Sequence, residues 1–360
     1  MVATLPSMTW EGATLSRRRL LWFGGGWAAG LSLPPARPQN GITATADVIT
    51  SRCPQFDIPD PIPPQHGIPY DVAQTGCLWQ YSNVGPPPRP QISHHEYWSS
   101  IASAVTGFNI WLPDQYNDDP NRRFPVIYWC TGGSYGACQD ENNEMSSFGT
   151  LSILATFSQN NPIIMVFVNP IANSKYMDAL PRSSMYGIVM AESMIINEVI
   201  PVVDCRFRTI ANRRGRAVTG FSGGGAGCLR LAFKYPQLFC ATRSCAGAVD
   251  DRGFNVLTEE PQLALAMFNN DTDAFELQTS FGQSAANRDA IIVSGLAIQM
   301  SIGNQDNLLA VNRQLDSHLT SLGIPHDPLI ELPGLGHDLE GFWRMSGTQP
   351  LGFLYSHFSL

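Results

Sequence analysis

The stretch Ala217-Val218-Thr219-Gly220-Phe221-Ser222-Gly223-Gly224-Gly225-Ala226-Gly227 constrains this chain more than any other. Apolar residues lead into Gly220-Phe221-Ser222-Gly223-Gly224, which fits the pattern Gly-x-Ser-x-Gly. A helical run from Cys228 to Tyr235 follows, and Pro236 closes it. Strand, tight turn and helix form the context in which such a serine is held out on a strained backbone. Glycines two before and two after it remove side chains that would collide in so sharp a turn. The serine oxygen then stands at the end of a sheet and at the positive end of a helix. The plainer reading is a Gly-rich strand-to-helix turn with a chance serine. A dinucleotide-binding turn fits less well. The glycines do not fall as Gly-x-Gly-x-x-Gly, and no acidic residue closes a second strand about 20 residues later.

The rest of the chain alternates strand and helix around this turn. Apolar residues alternate from Phe108 to Leu112, which predicts a strand, and a polar turn runs from Asp114 to Arg123. Phe124 to Cys130 is a continuous apolar run, the pattern of a strand buried on both faces. It ends in Thr131-Gly132-Gly133-Ser134-Tyr135-Gly136. Ile153 to Phe157 reads as helix and Pro162 to Val168 as a second buried strand. Met185 to Val203 has helical spacing and passes into the strand before Ser222. Beyond the turn, Cys240 to Val249 and Leu296 to Ile302 read as strands, with a helix start between them at Thr258-Glu259-Glu260-Pro261. The second of these strands ends in Gly303-Asn304-Gln305-Asp306, and Asn307 to Leu322 is an amphipathic helix. Pro328 to Leu332 is a last strand, ending in Pro333-Gly334-Leu335-Gly336-His337.

A chain of 360 residues with this alternation is expected to be α/β, with a mostly parallel, doubly wound sheet flanked by helices. Ligands of such sheets bind at the C-terminal ends of the strands. Gly132-Gly133, Ser222, Asp306 and His337 all fall at such ends. The chain order Ser, Asp, His is that of an α/β-hydrolase. Taken singly, His337 would be a surface loop residue and Asp306 an N-cap for the following helix. Their joint placement makes Ser222, Asp306 and His337 the candidate catalytic set. Asp250 and Asp251, after the preceding strand, compete with Asp306 for the acid. His94, His95 and His326 read as structural or surface residues.

Charge excludes several partners. The formal net charge is −8, Lys175 and Lys234 are the only lysines, and no basic stripe appears. Nucleic acid and anionic membrane surfaces are therefore not expected partners. No apolar run reaches the roughly 18–20 residues of a membrane span. Residues 1–46 resemble a bacterial twin-arginine export signal. Arg17-Arg18-Arg19 precede a Gly-rich apolar run, and Ala44-Thr45-Ala46 offers a small-x-small cleavage site. Residues 47–90 are rich in proline and read as an extended arm, leaving 91–360 as the catalytic domain. Eight cysteines without a Cys-x-x-Cys pair suit disulfides in an oxidising compartment. Cys53 with Cys77 is the expected pair, because it would crosslink a segment with little core of its own. Cys228 reads as a small buried apolar residue.

From about Tyr97 onward the chain resembles the esterase D-like group of α/β-hydrolases. That group includes feruloyl and acetyl-xylan esterases, S-formylglutathione hydrolase, enterochelin esterases and mycolyltransferases. The likeness is carried by Phe108-Asn109-Ile110-Trp111-Leu112-Pro113, Phe124-Pro125-Val126-Ile127-Tyr128 and Asn197-Glu198-Val199-Ile200-Pro201. It continues through Arg206-Phe207-Arg208-Thr209, Gly220-Phe221-Ser222-Gly223-Gly224 and Pro333-Gly334-Leu335-Gly336-His337-Asp338. Two positions depart from the group. Thr131 stands where a histidine is common, and Gly223 follows the serine where Met or Leu is common.

The resemblance implies a carboxylic-ester hydrolase, exported if the N-terminal signal is read as above, acting on feruloyl or acetyl esters of plant polysaccharide, or on other aromatic esters. It implies Ser222 as nucleophile, His337 as general base and Asp306 as the acid that orients it. The oxyanion donors would be the backbone N–H groups of Gly223 and Gly133, with Gly132 or Ser134 as alternatives to the latter. This chemistry calls for no metal or organic cofactor. An acyltransferase on the same scaffold and a non-catalytic secreted binding protein are the other readings.

Overall fold

The computed structural model describes residues 53–61, 91–132, 149–168, 174, 176–180, 190–249, 267–269 and 271–360. The apolar runs pair side by side as β1 (Ile92–Ser99), β2 (Ala104–Trp111), β3 (Val126–Cys130) and β4 (Ile164–Val168), then β5 (Arg216–Phe221), β6 (Ala241–Cys245), β7 (Ala297–Gly303) and β8 (Ile330–Leu332). They form one sheet in the order β1-β2-β4-β3-β5-β6-β7-β8. Strand β2 runs antiparallel to β1 and β4, and the remaining pairs are parallel.

The described helices are α1 (Thr150–Ser158), α2 (Ala191–Met194), α3 (Ile200–Arg206), α4 (Gly223–Lys234), α5 (Thr272–Gln278), α6 (Ser280–Ala286) and α7 (Arg288–Ser294). They continue with α8 (Leu309–Ser321), α9 (Leu339–Ser346) and α10 (Gln349–Ser356). A π-helical stretch, Ile195–Val199, joins α2 to α3.

The period of two along each strand explains why the central runs are wholly apolar. Val126 and Tyr128 of β3 pack on one face with Val202, Leu229, Phe233 and Leu315, from α3, α4 and α8. Ile127 and Trp129 pack on the other with Leu154, Phe342 and Leu354, from α1, α9 and α10. With helices on both faces of a mostly parallel sheet, the observed fold is the expected α/β-hydrolase architecture. Among the described residues no helix is long and apolar enough to cross a membrane.

Several element boundaries differ from the sequence reading, each for a local reason. Strand β1 was not expected, because His94, His95 and Glu96 interrupt its apolar pattern. Among the described residues it is an edge strand, paired only with β2, so polar side chains are tolerated there. Helix α4 begins at Gly223, well before Cys228, so the glycine-rich turn is itself the first turn of the helix. Helix α8 begins at Leu309 because Asp306 to Leu308 form a tight turn, with Leu309 N–H donating to Asp306 O at 3.1 Å. The strand expected over Cys240 to Val249 is confined to Ala241–Cys245. Helices α9 and α10 were not foreseen, and the helix start at Thr258 lies outside the described residues.

The disulfide is a correction. Cys53 pairs with Cys205, at a Cα–Cα distance of 6.4 Å, and not with Cys77. Cys77 lies outside the described residues, as does the segment 1–46. The pairing follows from what the Cys53 segment packs against. Its short 3-10 turn, Pro54–Phe56, sets Phe56 edge-on to Tyr97, with ring centroids 6.0 Å apart, and Arg206 Nη2 donates to Phe56 O at 3.2 Å. The crosslink thus ties this segment to the end of α3. Three residues past Cys205, Arg208 O accepts Phe124 N–H at the entrance to β3, the end of the strands opposite the one that leads to Ser222. Replacing both cysteines by alanine should lower stability by about 2–5 kcal/mol, because a long loop is freed in the unfolded chain. kcat per folded molecule should stay within about twofold of the parent, a change below roughly 0.4 kcal/mol. Urea melts beside esterase assays check both statements.

A buried ionic cluster fixes α4 against α2. Glu192 accepts from Arg230 Nη1 at 2.6 Å, lies 2.7 Å from Lys234 Nζ, and accepts from Tyr235 Oη at 2.5 Å. Burial opposes ionisation of Glu192. Arg230, Lys234 and Tyr235 outweigh it and hold the carboxyl below the usual carboxylate range.

Candidate active site

The site is built at the C-terminal ends of β3, β5, β7 and β8. Ser222 lies between β5 and α4 with φ 55° and ψ −121°, a left-handed conformation that costs a non-glycine residue about 1–3 kcal/mol. Its surroundings over-determine it. Ser222 N–H donates to Cys245 O at 3.0 Å, and Ser222 O accepts from Ala248 N–H at 2.8 Å and Ala226 N–H at 3.1 Å. The flanking glycines are needed for close approach. A Cβ on Gly220 or on Gly224 would overlap Cys130 O at the end of β3. Gly223 is the first residue of α4, so its N–H is one of the helix donors without an intrahelical acceptor. It points from the positive end of the helix dipole.

Asp306 and His337 arrive on two loops held together by backbone bonds. Gln305 N–H donates to Leu335 O and Asn304 N–H to Leu332 O, both at 2.9 Å, and Gly334 N–H donates to Asn304 Oδ1 at 2.7 Å. Gly303 permits this, since a Cβ there would overlap Leu335 O.

The Asp306 carboxylate is buried, and its Oδ1 accepts Leu308 N–H at 2.9 Å. Its Oδ2 lies 2.8 Å from His337 Nδ1. His337 Nε2 lies 2.8 Å from Ser222 Oγ. An ionised carboxylate only accepts, so Nδ1 carries the proton and the Nε2 lone pair faces the serine hydroxyl. Phe221 packs against the imidazole, ring centroids 4.9 Å apart, and shields one face of it. About one third of the His337 side chain is exposed.

The structure therefore brings Ser222, Asp306 and His337 into one hydrogen-bonded line and puts Gly223 beside them. Gly133, Ser134, Asp250 and Asp251 lie outside the described residues. Gly132 is described. The last β3–β5 pair is Cys130 with Gly220, and Gly132 and Ser222 each follow that pair by two residues in the chain. The bracing of Ser222 by Cys245 and Ala248 was not legible in the sequence, since backbone acceptors and donors leave no residue signature. His95 takes no part in the line. Its ring stacks near Phe108 and meets Phe207 edge-on, and burial, then Arg206, hold its pKa down to about 4. Among the described residues no three His, Cys, Asp or Glu side chains are grouped to hold a metal ion.

A family model described as "Putative esterase" matches residues 99–319. Esterase MT1326 and Esterase Rv1288, from two strains of Mycobacterium tuberculosis, are each 29% identical to this chain over 271 residues. The match covers 69% of this chain and 56% of each relative, so the chain spans about half the length of the curated relatives it matches. A solved ferulic acid esterase superposes with a TM-score of 0.60 at 20% identity, covering 74% of this chain and 98% of its own. An S-formylglutathione hydrolase from Agrobacterium tumefaciens superposes at 0.61 with 14% identity, covering 74% of this chain and 95% of its own. At such identities the likeness to these two structures is one of fold.

Proposed function

This chain belongs to the esterase family, and from that premise we propose that it is an exported serine carboxylic-ester hydrolase working through an acyl-enzyme. The reading is supported above all by the unbroken line from Ser222 Oγ through His337 to the buried Asp306 carboxylate.

As Ser222 Oγ attacks the ester carbonyl carbon, its proton passes to His337 Nε2. The carbonyl π pair moves to oxygen. The resulting oxyanion is met by the N–H of Gly223, with Gly133 as second donor. Collapse of this intermediate expels the alcohol, which takes the proton from His337. A water then attacks the acyl-enzyme by the same route and frees the acid. Asp306 keeps His337 in the right tautomer and stabilises the imidazolium in both halves.

The substrate class is an acyl or hydroxycinnamoyl ester, including those carried on plant polysaccharide, in line with the ferulic acid esterase among the structural neighbours. A panel of p-nitrophenyl esters assayed beside feruloylated and acetylated xylan fragments tests it. Hydrolysis with a burst of p-nitrophenol equal to the enzyme concentration is the expected result. Transfer of the acyl group to an added sugar in preference to water would replace hydrolase by acyltransferase. Absence of turnover on every ester, with no fluorophosphonate labelling of Ser222, would leave a binding protein.

Export is proposed from Arg17-Arg18 and the apolar run after them. Replacing both arginines by lysine should leave the protein in the cytoplasm with residues 1–46 attached. Fractionation followed by N-terminal sequencing reads this, and unchanged export would sink the twin-arginine reading.

A further inference from the structure

Tyr176 has no part in the chemistry above, yet it grips the strand end beside the nucleophile. It is 2% exposed and adopts φ 61°, a region that non-glycine residues seldom occupy. Ser174 builds the turn that holds it there. Ser174 Oγ accepts Tyr176 N–H at 3.0 Å, and Met177 N–H donates to Ser174 O at 2.9 Å. So aimed, Tyr176 Oη donates to Thr131 O at 2.7 Å and lies 3.4 Å from Thr131 Oγ1. The Tyr176 ring lies flush against Gly227 of α4, where any Cβ would overlap its carbons. One side chain thus joins the helix that carries Ser222 at its N-terminus to the residue that follows β3.

The peptide held is Thr131–Gly132. In a trans peptide the C=O and the following N–H point to opposite sides, so fixing Thr131 O fixes the direction of Gly132 N–H. That peptide opens the Gly-rich loop directly after Cys130, whose partner on β5 is Gly220, two residues before Ser222. Oxyanion donors act only when already placed within about 2.7–3.1 Å of the developing charge. A displacement of about 1 Å can cost on the order of 10²-fold in rate.

We propose that Tyr176 is a positioning residue of the oxyanion hole. Its hydroxyl fixes the Thr131–Gly132 peptide, and with it the direction of Gly132 N–H, the alternative to Gly133 as second oxyanion donor. The inference rests on the acyl-enzyme reading above.

Tyr176→Phe tests it, because the ring stays against Gly227 and only the hydroxyl is lost. Active sites are counted by fluorophosphonate titration, so that kcat refers to folded enzyme. The second readout is the Ki of an aryl trifluoromethyl ketone. Ser222 Oγ adds to its carbonyl carbon, the π pair becomes an oxyanion, and the serine proton passes to His337. The expected result is a kcat roughly 10- to 100-fold lower. Ki should be raised by a similar factor while KM shifts by less than about twofold. Unchanged kcat and Ki per titrated site would overturn the proposal. So would a raised KM with kcat intact, since Tyr176 would then belong to the substrate pocket. Ser222→Ala, assayed for kcat per mole of protein shown to be folded by thermal melts, separates the two readings. If Ser222→Ala keeps its activity, the acyl-enzyme itself is wrong. If Ser222→Ala is inactive and Tyr176→Phe is unaffected, only the role of Tyr176 falls.

Discussion

Ser222→Ala should lose on the order of 10⁶ in kcat while folding normally. The acyl-enzyme cannot form without Oγ, so the residual rate comes from oxyanion donors and substrate placement alone. The fold should tolerate the change. The strained backbone at position 222 is held by bonds from Ser222 N–H and O to Cys245 and Ala248, which alanine keeps. His337→Ala should cost a comparable factor, because Nε2 at 2.8 Å from Oγ is the group that removes its proton. The double variant should be little worse than either single one, since the two residues act in the same step. kcat and KM on a small chromogenic ester, with thermal melts for folding, decide the matter. Losses that multiply would mean that serine and histidine serve different steps, and the proposed mechanism would fail.

Asp306→Asn should lower kcat by about 10⁴ with little loss of stability. Oδ1 of Asp306 accepts Leu308 N–H, and the asparagine carbonyl can take over that bond. The amide NH₂ is then turned toward His337 Nδ1, where Oδ2 had been. A donor there forces Nδ1 to accept, so the ring proton moves to Nε2 and the base can no longer receive the serine proton. Asp250→Asn and Asp251→Asn are the controls. If one of them cripples the enzyme while Asp306→Asn is mild, the acid has been assigned to the wrong residue.

The sequence determined what depends on neighbours in the chain. Gly220, Ser222 and Gly224 are close enough in sequence that the turn, and the need for small residues in it, can be read directly. The apolar runs at Phe124–Cys130 and Pro162–Val168 announced strands covered on both faces, and the alternation with helices announced the doubly wound sheet. Parallel strands gather their C-terminal ends on one edge, so order alone brought Asp306 and His337 toward Ser222. What the sequence left open is decided by contacts between distant segments. Cys53 had several possible partners, and the choice of Cys205 depends on the segment packing against the end of α3. Strand β1 exists because an exposed edge of β2 accepts a polar strand, a fact about the sheet and not about Ile92–Ser99. The grip of Tyr176 on Thr131 crosses 45 residues and uses a backbone carbonyl as acceptor. Every residue presents such a carbonyl, so only the tertiary structure could single out that one.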